Sequence, residues 1–336
     1  MRVLIVAVSC AVLSTSTAFA QSNPATPGDE SANTAPTVLD EVLVTGEQPG
    51  PGLWKISSGD HVMWVLGTYG PLPKKMTWRS QEVETAVAAS QELLLPGTVD
   101  ADIGFFKGLT LLPSLIGVRN SPNDQKLKDI LSPELYARWS SLKEKYIGRS
   151  NGVEKWRPIF AAFELYSKAL DKAGLESSND VRKVVEKVAK KNKVKIVTPT
   201  VELDIEKPRA AIKEFKKSSL DDVKCFAKTI ERLETDLDLM RARANAWSVG
   251  NVAALRQMTH VDQATACIEA VMNTQIVQER GWQDVPVRVA EVWLTAAEDA
   301  LAKNTSTFAV LSIDEILRSD GYVAKLRAHG YAVEEP

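Results

Sequence analysis

Histidine is almost missing from this chain. Only His61, His260 and His329 occur in 336 residues, and none has a second histidine at the spacing of a metal-binding pair. There is no Gly-x-Ser-x-Gly elbow, no Cys-x-x-Cys pair and no dinucleotide-binding glycine pattern, so the corresponding hydrolase, redox and nucleotide chemistries have no motif to stand on. Basic residues do not outnumber acidic ones: 41 stand against 43, a formal charge of −2. A nucleic-acid binder normally carries a clear basic excess. After the first twenty residues no apolar run is long enough to cross a bilayer. Cysteine is scarce too, and of its three copies Cys10 lies in the opening apolar run.

What is present is ordinary globular material, 44% hydrophobic and 25% charged. Arg2, the apolar run Val3 to Leu13, a Ser/Thr-rich stretch and Ala18-Phe19-Ala20 have the form of a secretory signal cleaved after Ala20. The expected location is therefore the periplasm, with secretion as the alternative. Residues 21–51, rich in Pro, Ser, Thr, Ala and Gly, read as a disordered linker. Within it, Leu39-Asp40-Glu41-Val42-Leu43-Val44-Thr45-Gly46 resembles the TonB-box region of TonB-dependent receptors, a short strand able to add to a partner's sheet edge. The plainer reading is an extra edge strand. The partner expected is a periplasmic protein or peptide, with a TonB-type contact through residues 39–46.

Residues 52–336 read as one α/β domain. Leu53 to Ser57 and His61 to Leu66 are runs of β-branched and aromatic residues around a Ser58-Gly59-Asp60 turn, a β-hairpin. Gly67 ends its second strand, and Gly70, Pro71 and Pro73 make a loop, the place where α/β proteins usually hold ligands. A helix over 79–90 and a strand over 93–95 complete a βαβ unit. Ile103 to Gly117, apolar but broken by Gly104, Gly108, Pro113 and Gly117, reads as a packed loop covering the sheet. Ser132 with Pro133 and Glu134 opens a helix as N-cap, first position and dipole partner. Asn179-Asp180 caps another, ahead of a strand over 194–197, and a helix over 287–303 precedes a strand over 308–311. The fold class expected is a central mixed β-sheet built by N- and C-terminal βα units, with a helical insertion or lid over about 120–175 and 208–280.

Ser219 opens what reads as the longest helix, with Asp222 three residues on. Val223, Phe226, Ile230, Leu233, Leu237, Met240, Ala244 and Trp247 form a heptad seam along it, suited to a helical hairpin within the chain or to a partner helix. Residues 248–250 look like a turn, and Cys225 and Cys267 lie nearly equidistant from it. Folding back there would pair them, in a compartment where disulfides persist; two buried thiols are the alternative.

Leu53-Trp54-Lys55-Ile56, Trp64-Val65-Leu66-Gly67-Thr68, Leu72-Pro73 and Leu131-Ser132-Pro133-Glu134 together resemble the TraB/GumN family, whose relatives include the Tiki peptidases. The resemblance runs from Leu53 to Val333 and implies the α/β fold. It also implies a divalent-metal site whose histidines follow the first Leu-Gly-Thr and lie in a Gly-x-x-His near the C-terminus. Here Gly70 and Glu315 stand at those places, with Ser312 for the second motif's glycine. Gly67, Thr68, Gly70, Ser312 and Glu315 are thus vestiges of a motif without its imidazoles. By the same resemblance Glu202 substitutes for a site-facing glutamate, and Arg280 keeps one member of an Arg-Asn pair whose amide is Gly281.

The function expected is a family member with a degenerate metal site, non-catalytic, with no cofactor. The alternative is a divalent-metal-dependent hydrolase, most simply a peptidase. In it Glu202, Asp204, Asp314 and Glu315 would supply oxygen ligands, Glu202 or Glu315 the base, and Arg280 the oxyanion partner.

Overall fold

Gly59 takes φ +60°, a conformation L-residues rarely adopt, in the two-residue turn that joins β1 (Leu53–Ser58) to β2 (His61–Thr68). The computed structural model describes residues 49–100, 105–176 and 180–336, within a unit spanning Val44–Pro336. The signal segment, the TonB-box-like segment 39–46 and Asn179 lie outside the described residues.

Along the chain follow β3 (Leu72–Pro73), α1 (Gln81–Ala88), β4 (Glu92–Leu94), β5 (Thr98–Asp100) and α2 (Phe105–Leu115). Next come α3 (Leu127–Ile130), α4 (Pro133–Tyr146), α5 (Pro158–Lys172), β6 (Leu175–Glu176), α6 (Asp180–Lys191), β7 (Lys195–Val197) and β8 (Thr200–Glu202). A helical stretch then holds α7 (Pro208–Lys217), α8 (Val223–Thr235), α9 (Leu237–Ser248), α10 (Val252–Gln257), α11 (Gln263–Met272) and α12 (Gln275–Glu279). The chain closes with α13 (Val285–Lys303), β9 (Ser306–Ser312), α14 (Ile313–Leu317), α15 (Tyr322–Ala328) and β10 (Ala332–Glu334).

The main sheet is mixed, in the order β10-β1-β2-β9-β4-β7. β1 is antiparallel to both its neighbours, while β2, β9, β4 and β7 run parallel. A central parallel strand is covered on both faces and should be apolar throughout. β9 obeys this, with Phe308, Ala309, Val310 and Leu311 all buried. The core on this sheet joins Trp54, Ile56, Met63, Val65 and Leu66 to Val83, Val87, Trp293 and Trp247.

A second core belongs to the helices: Leu131, Leu135 and Trp139 meet Ala162, Leu165, Phe226 and Ile230. Ser132 caps α4 as its sequence implies, its hydroxyl accepting from Leu135 N at 3.2 Å. Arg157 is 2% exposed and donates to the carbonyls of Ser218 and Phe215 at 2.9 and 2.6 Å. Asp222 accepts from Ile159 N at 2.8 Å. These bonds fasten the start of α5 to the end of α7 and the start of α8. Cys225 and Cys267 are bridged, with Cα atoms 4.5 Å apart, joining α8 to α11 beside Ile159 and Ala270.

Two expectations are corrected. Residues 103–117 do not make a packed loop: Phe105–Leu115 is helical, and Leu112, Leu115 and Ile116 are exposed. An interior glycine costs a helix only about 1 kcal/mol, which an apolar run tolerates. The heptad helix is not continuous either. It begins at Val223, because the Asp222 carboxylate is engaged by Ile159, and it breaks at Asp236, whose φ is −108° and ψ 0°. Asp236 accepts from Val261 N at 2.9 Å, which fixes the break. Phe226, Ile230 and Leu233 therefore enter the helical core, whereas Ala244 and Trp247 reach the sheet. The longest helix among the described residues is α13, with 19 residues.

Candidate functional site

The parallel pairing of β2 and β9 brings the two motif-bearing ends of the chain together. Gly67 stands opposite Leu311 and Thr68 opposite Ser312. Gly67 is closely packed: a Cβ there would lie 2.7 Å from Ile313 Cδ1 and 3.2 Å from Ile316 Cδ1 and Trp54 Cζ3, so these side chains would have to shift. Its carbonyl accepts from Trp247 Nε1 at 2.6 Å. Thr68 Oγ1, buried, donates to Leu311 O at 3.1 Å. Ser312 serves as N-cap of α14, its hydroxyl accepting from Glu315 N at 3.1 Å. These motif positions are thus held in backbone-fixing bonds.

Beside them sits a residue that the motif comparison missed. Arg243 of α9 is 3% exposed and aims its guanidinium at the carboxyl end of the sheet. Nη2 donates to Asp314 Oδ1 at 2.6 Å, and Nη1 donates to the carbonyls of Leu255 and Met258 at 2.9 and 2.5 Å. Its charge lies 5.4 Å from the centre of the Tyr69 ring, a cation–π contact. Burial pushes the Tyr69 hydroxyl up to about 12, against the opposing pull of Arg243. Tyr69 OH donates to Met240 O at 3.4 Å. His260, half-buried, places Nε2 3.9 Å from Asp314 Oδ2. Its pKa is lowered, chiefly by desolvation, with Arg243 and Arg232 adding to the effect and Asp314 opposing it. The sequence did carry one signal: Arg243 lies three residues after Met240 and four before Trp247, a basic residue on an apolar seam.

The other candidates are dispersed. Glu202 is exposed at the end of β8, in a separate two-stranded sheet where it faces Asp100 in register. Asp204 is exposed in the loop beyond it. Arg280 donates to Glu214 at 3.2 Å and lies over the Trp282 ring. Glu315 is raised in pKa by burial and receives Arg318 Nη1 at 3.3 Å. His61 faces the Leu301 carbonyl, and His329 pairs with Glu298 at the surface. A groove of about 590 Å³ between Trp64, Leu53 and α1 shares no residue with the Arg243 cluster.

Comparison with protein-family models finds the TraB/PrgY/gumN family over residues 52–335. The chain belongs to this family. Neither the curated proteins nor the solved structures yield a significant match.

As a member of the TraB/PrgY/gumN family, the chain can be asked whether its residues suit the divalent cation that its motif resemblance implies. They do not. Gly70 offers no side-chain donor, Asp314 is engaged by a guanidinium, and Glu315 is engaged by Arg318. No group of three or more His, Cys, Asp or Glu side chains gathers at one point among the described residues. At a separation of about 6 Å and an effective dielectric of about 20, a guanidinium and a divalent cation repel by roughly 5 kcal/mol.

Proposed function

We propose that this TraB/PrgY/gumN protein is a non-catalytic binding or scaffolding protein of the cell envelope. It is exported to the periplasm, and its ancestral cation site is occupied by a side chain of its own. The observation that carries the proposal is Arg243, held by Asp314 and two main-chain carbonyls between the residues following Thr68 and those following Ser312. A permanent positive charge in that position supplies the electrostatic complement to Asp314, and a cation is not needed to stabilise the strand ends. His260 stands 3.9 Å from Asp314, whose other oxygen Arg243 already holds.

Residues 39–46 supply the docking element of the same proposal: a strand offered to a periplasmic partner of the TonB type.

The deciding experiment is metal analysis of the purified full chain after dialysis against Zn²⁺, Mn²⁺ and Mg²⁺. The expected result is no stoichiometric metal. One ion per chain, lost in Glu315→Ala or Asp314→Ala, overturns the proposal in favour of a metal-dependent hydrolase.

A further inference from the structure

Helix α2 leaves apolar side chains in the open. Leu112 is 58% exposed, Leu115 44% and Ile116 77%. Leu112 and Leu115, three apart, share one face of the helix and Ile116 follows in the turn at its end, while Leu111 turns inward and is buried. Three large apolar side chains exposed within five residues make a patch, in contrast to the scattered single exposures normal for a surface.

The neighbouring helix has the opposite character. α7 packs against α2 and has no buried residue. Arg209, Lys213, Lys216 and Lys217 recur at the helical period and so share one face. Arg209 donates to Thr110 O at 3.0 Å, which sets that basic face beside α2. Glu214, the one acidic residue in α7, is already paired with Arg280. Lys213, Lys216 and Lys217 take part in none of the ion pairs among the described residues. The nearest acidic residues ahead of α7, Asp204 and Glu206, lie in the loop that precedes it.

An apolar helix end flanked by unpaired lysines matches one kind of partner. We propose that α2 and α7 form a docking surface for an anionic lipid membrane. Leu112, Leu115 and Ile116 would enter the interfacial layer, and the α7 lysines would meet lipid phosphates. Charge complementarity selects lipid over a second copy of the chain, because two copies apposed on this face would bring their lysine rows together. No helix among the described residues is long and apolar enough to cross a membrane, so attachment is interfacial.

The test is co-sedimentation of the full chain with vesicles of phosphatidylglycerol and phosphatidylethanolamine at about 1:3, alongside pure phosphatidylcholine vesicles. The chain is expected to bind the anionic vesicles at least about tenfold more tightly than the neutral ones, with the difference shrinking as salt rises to about 0.5 M. L112E/I116E is expected to weaken anionic binding about tenfold, and K213E/K216E/K217E likewise. The comparison is repeated on the mature chain from Gln21, so that the apolar segment of residues 1–20 contributes to none of the binding. The substituted side chains lie at the surface, and an unchanged circular dichroism melt confirms the fold. Equal binding to both vesicle types overturns the proposal, as does undiminished binding by L112E/I116E. So does a lipid-free dimer that L112E/I116E converts to monomer, which would assign this face to a second copy.

Discussion

Arg243 and Asp314 meet at 2.6 Å across the carboxyl end of the central sheet, one from the helical insertion and one from the first turn of α14, directly after β9. The contact ties the two parts of the molecule together at the point where the family motif would place a cation. Its energetics are asymmetric. The guanidinium is buried, whereas the Asp314 side chain is 50% exposed and can exchange its partner for water.

Arg243→Met should therefore cost more than Asp314→Asn. Losing the guanidinium leaves the Leu255 and Met258 carbonyls without their donor, and about 3 kcal/mol of stability should go with it. Asp314→Asn removes one half-screened partner and should cost about 1 kcal/mol. Urea unfolding midpoints of the two variants measure the difference. Equal losses would show that Arg243 does not hold the site together.

Asp222 sets a pH dependence. Burial raises its pKa from 3.8 to about 6, against the pull of the Ile159 amide and Arg157. A carboxyl group whose folded pKa lies above its unfolded value favours the folded state in its protonated form. That contribution is complete below about pH 4 and is lost as pH rises through about 6, by at most about 3 kcal/mol. Asp222→Asn keeps an acceptor for Ile159 N without the charge. It should flatten the stability profile between these limits in denaturation curves taken across that range. An unchanged slope would place the titration elsewhere.

The Cys225–Cys267 bridge closes a loop with a sequence separation of 42. On the chain-entropy model, Cys225→Ser/Cys267→Ser should lose about 4 kcal/mol. The thermal midpoint of the double variant, compared with that of the reduced parent, reads the effect. Agreement between the two assigns the loss to the bridge and not to the hydroxyls introduced in the core.

Much of the sheet was legible in sequence because its signals are local. The Gly59 turn, the β-branched runs on either side and the Ser132 cap each need only a few neighbouring residues. The break at Asp236 was not legible, since its cause is a bond to Val261 N on the returning chain. A seam at heptad spacing looks the same whether one core receives it or two. α2 was misread because Gly108 and Pro113 weigh heavily in a local scan, whereas an apolar helix tolerates both. The Arg243 cluster escaped for a related reason: its members come from two loops and two helices far apart in the chain, and no spacing rule connects them. Gly67, Thr68 and Ser312, singled out by their place in the motif, make hydrogen bonds that belong to the scaffold.

The place of β9 in the sheet has a consequence for how the molecule is made. It separates β2 from β4, so both of its own parallel pairs wait for a strand synthesised long after its neighbours, whereas β4 and β7 can pair without it. Until residues 306–312 emerge, β2 and β4 each have an open edge, and joining them closes a very long loop. The contacts among α4, α5 and α8 span shorter stretches of chain and do not depend on β9. Completion of the central sheet is thus set by a late arrival at its middle, and the edges on both sides stay open until that strand is made.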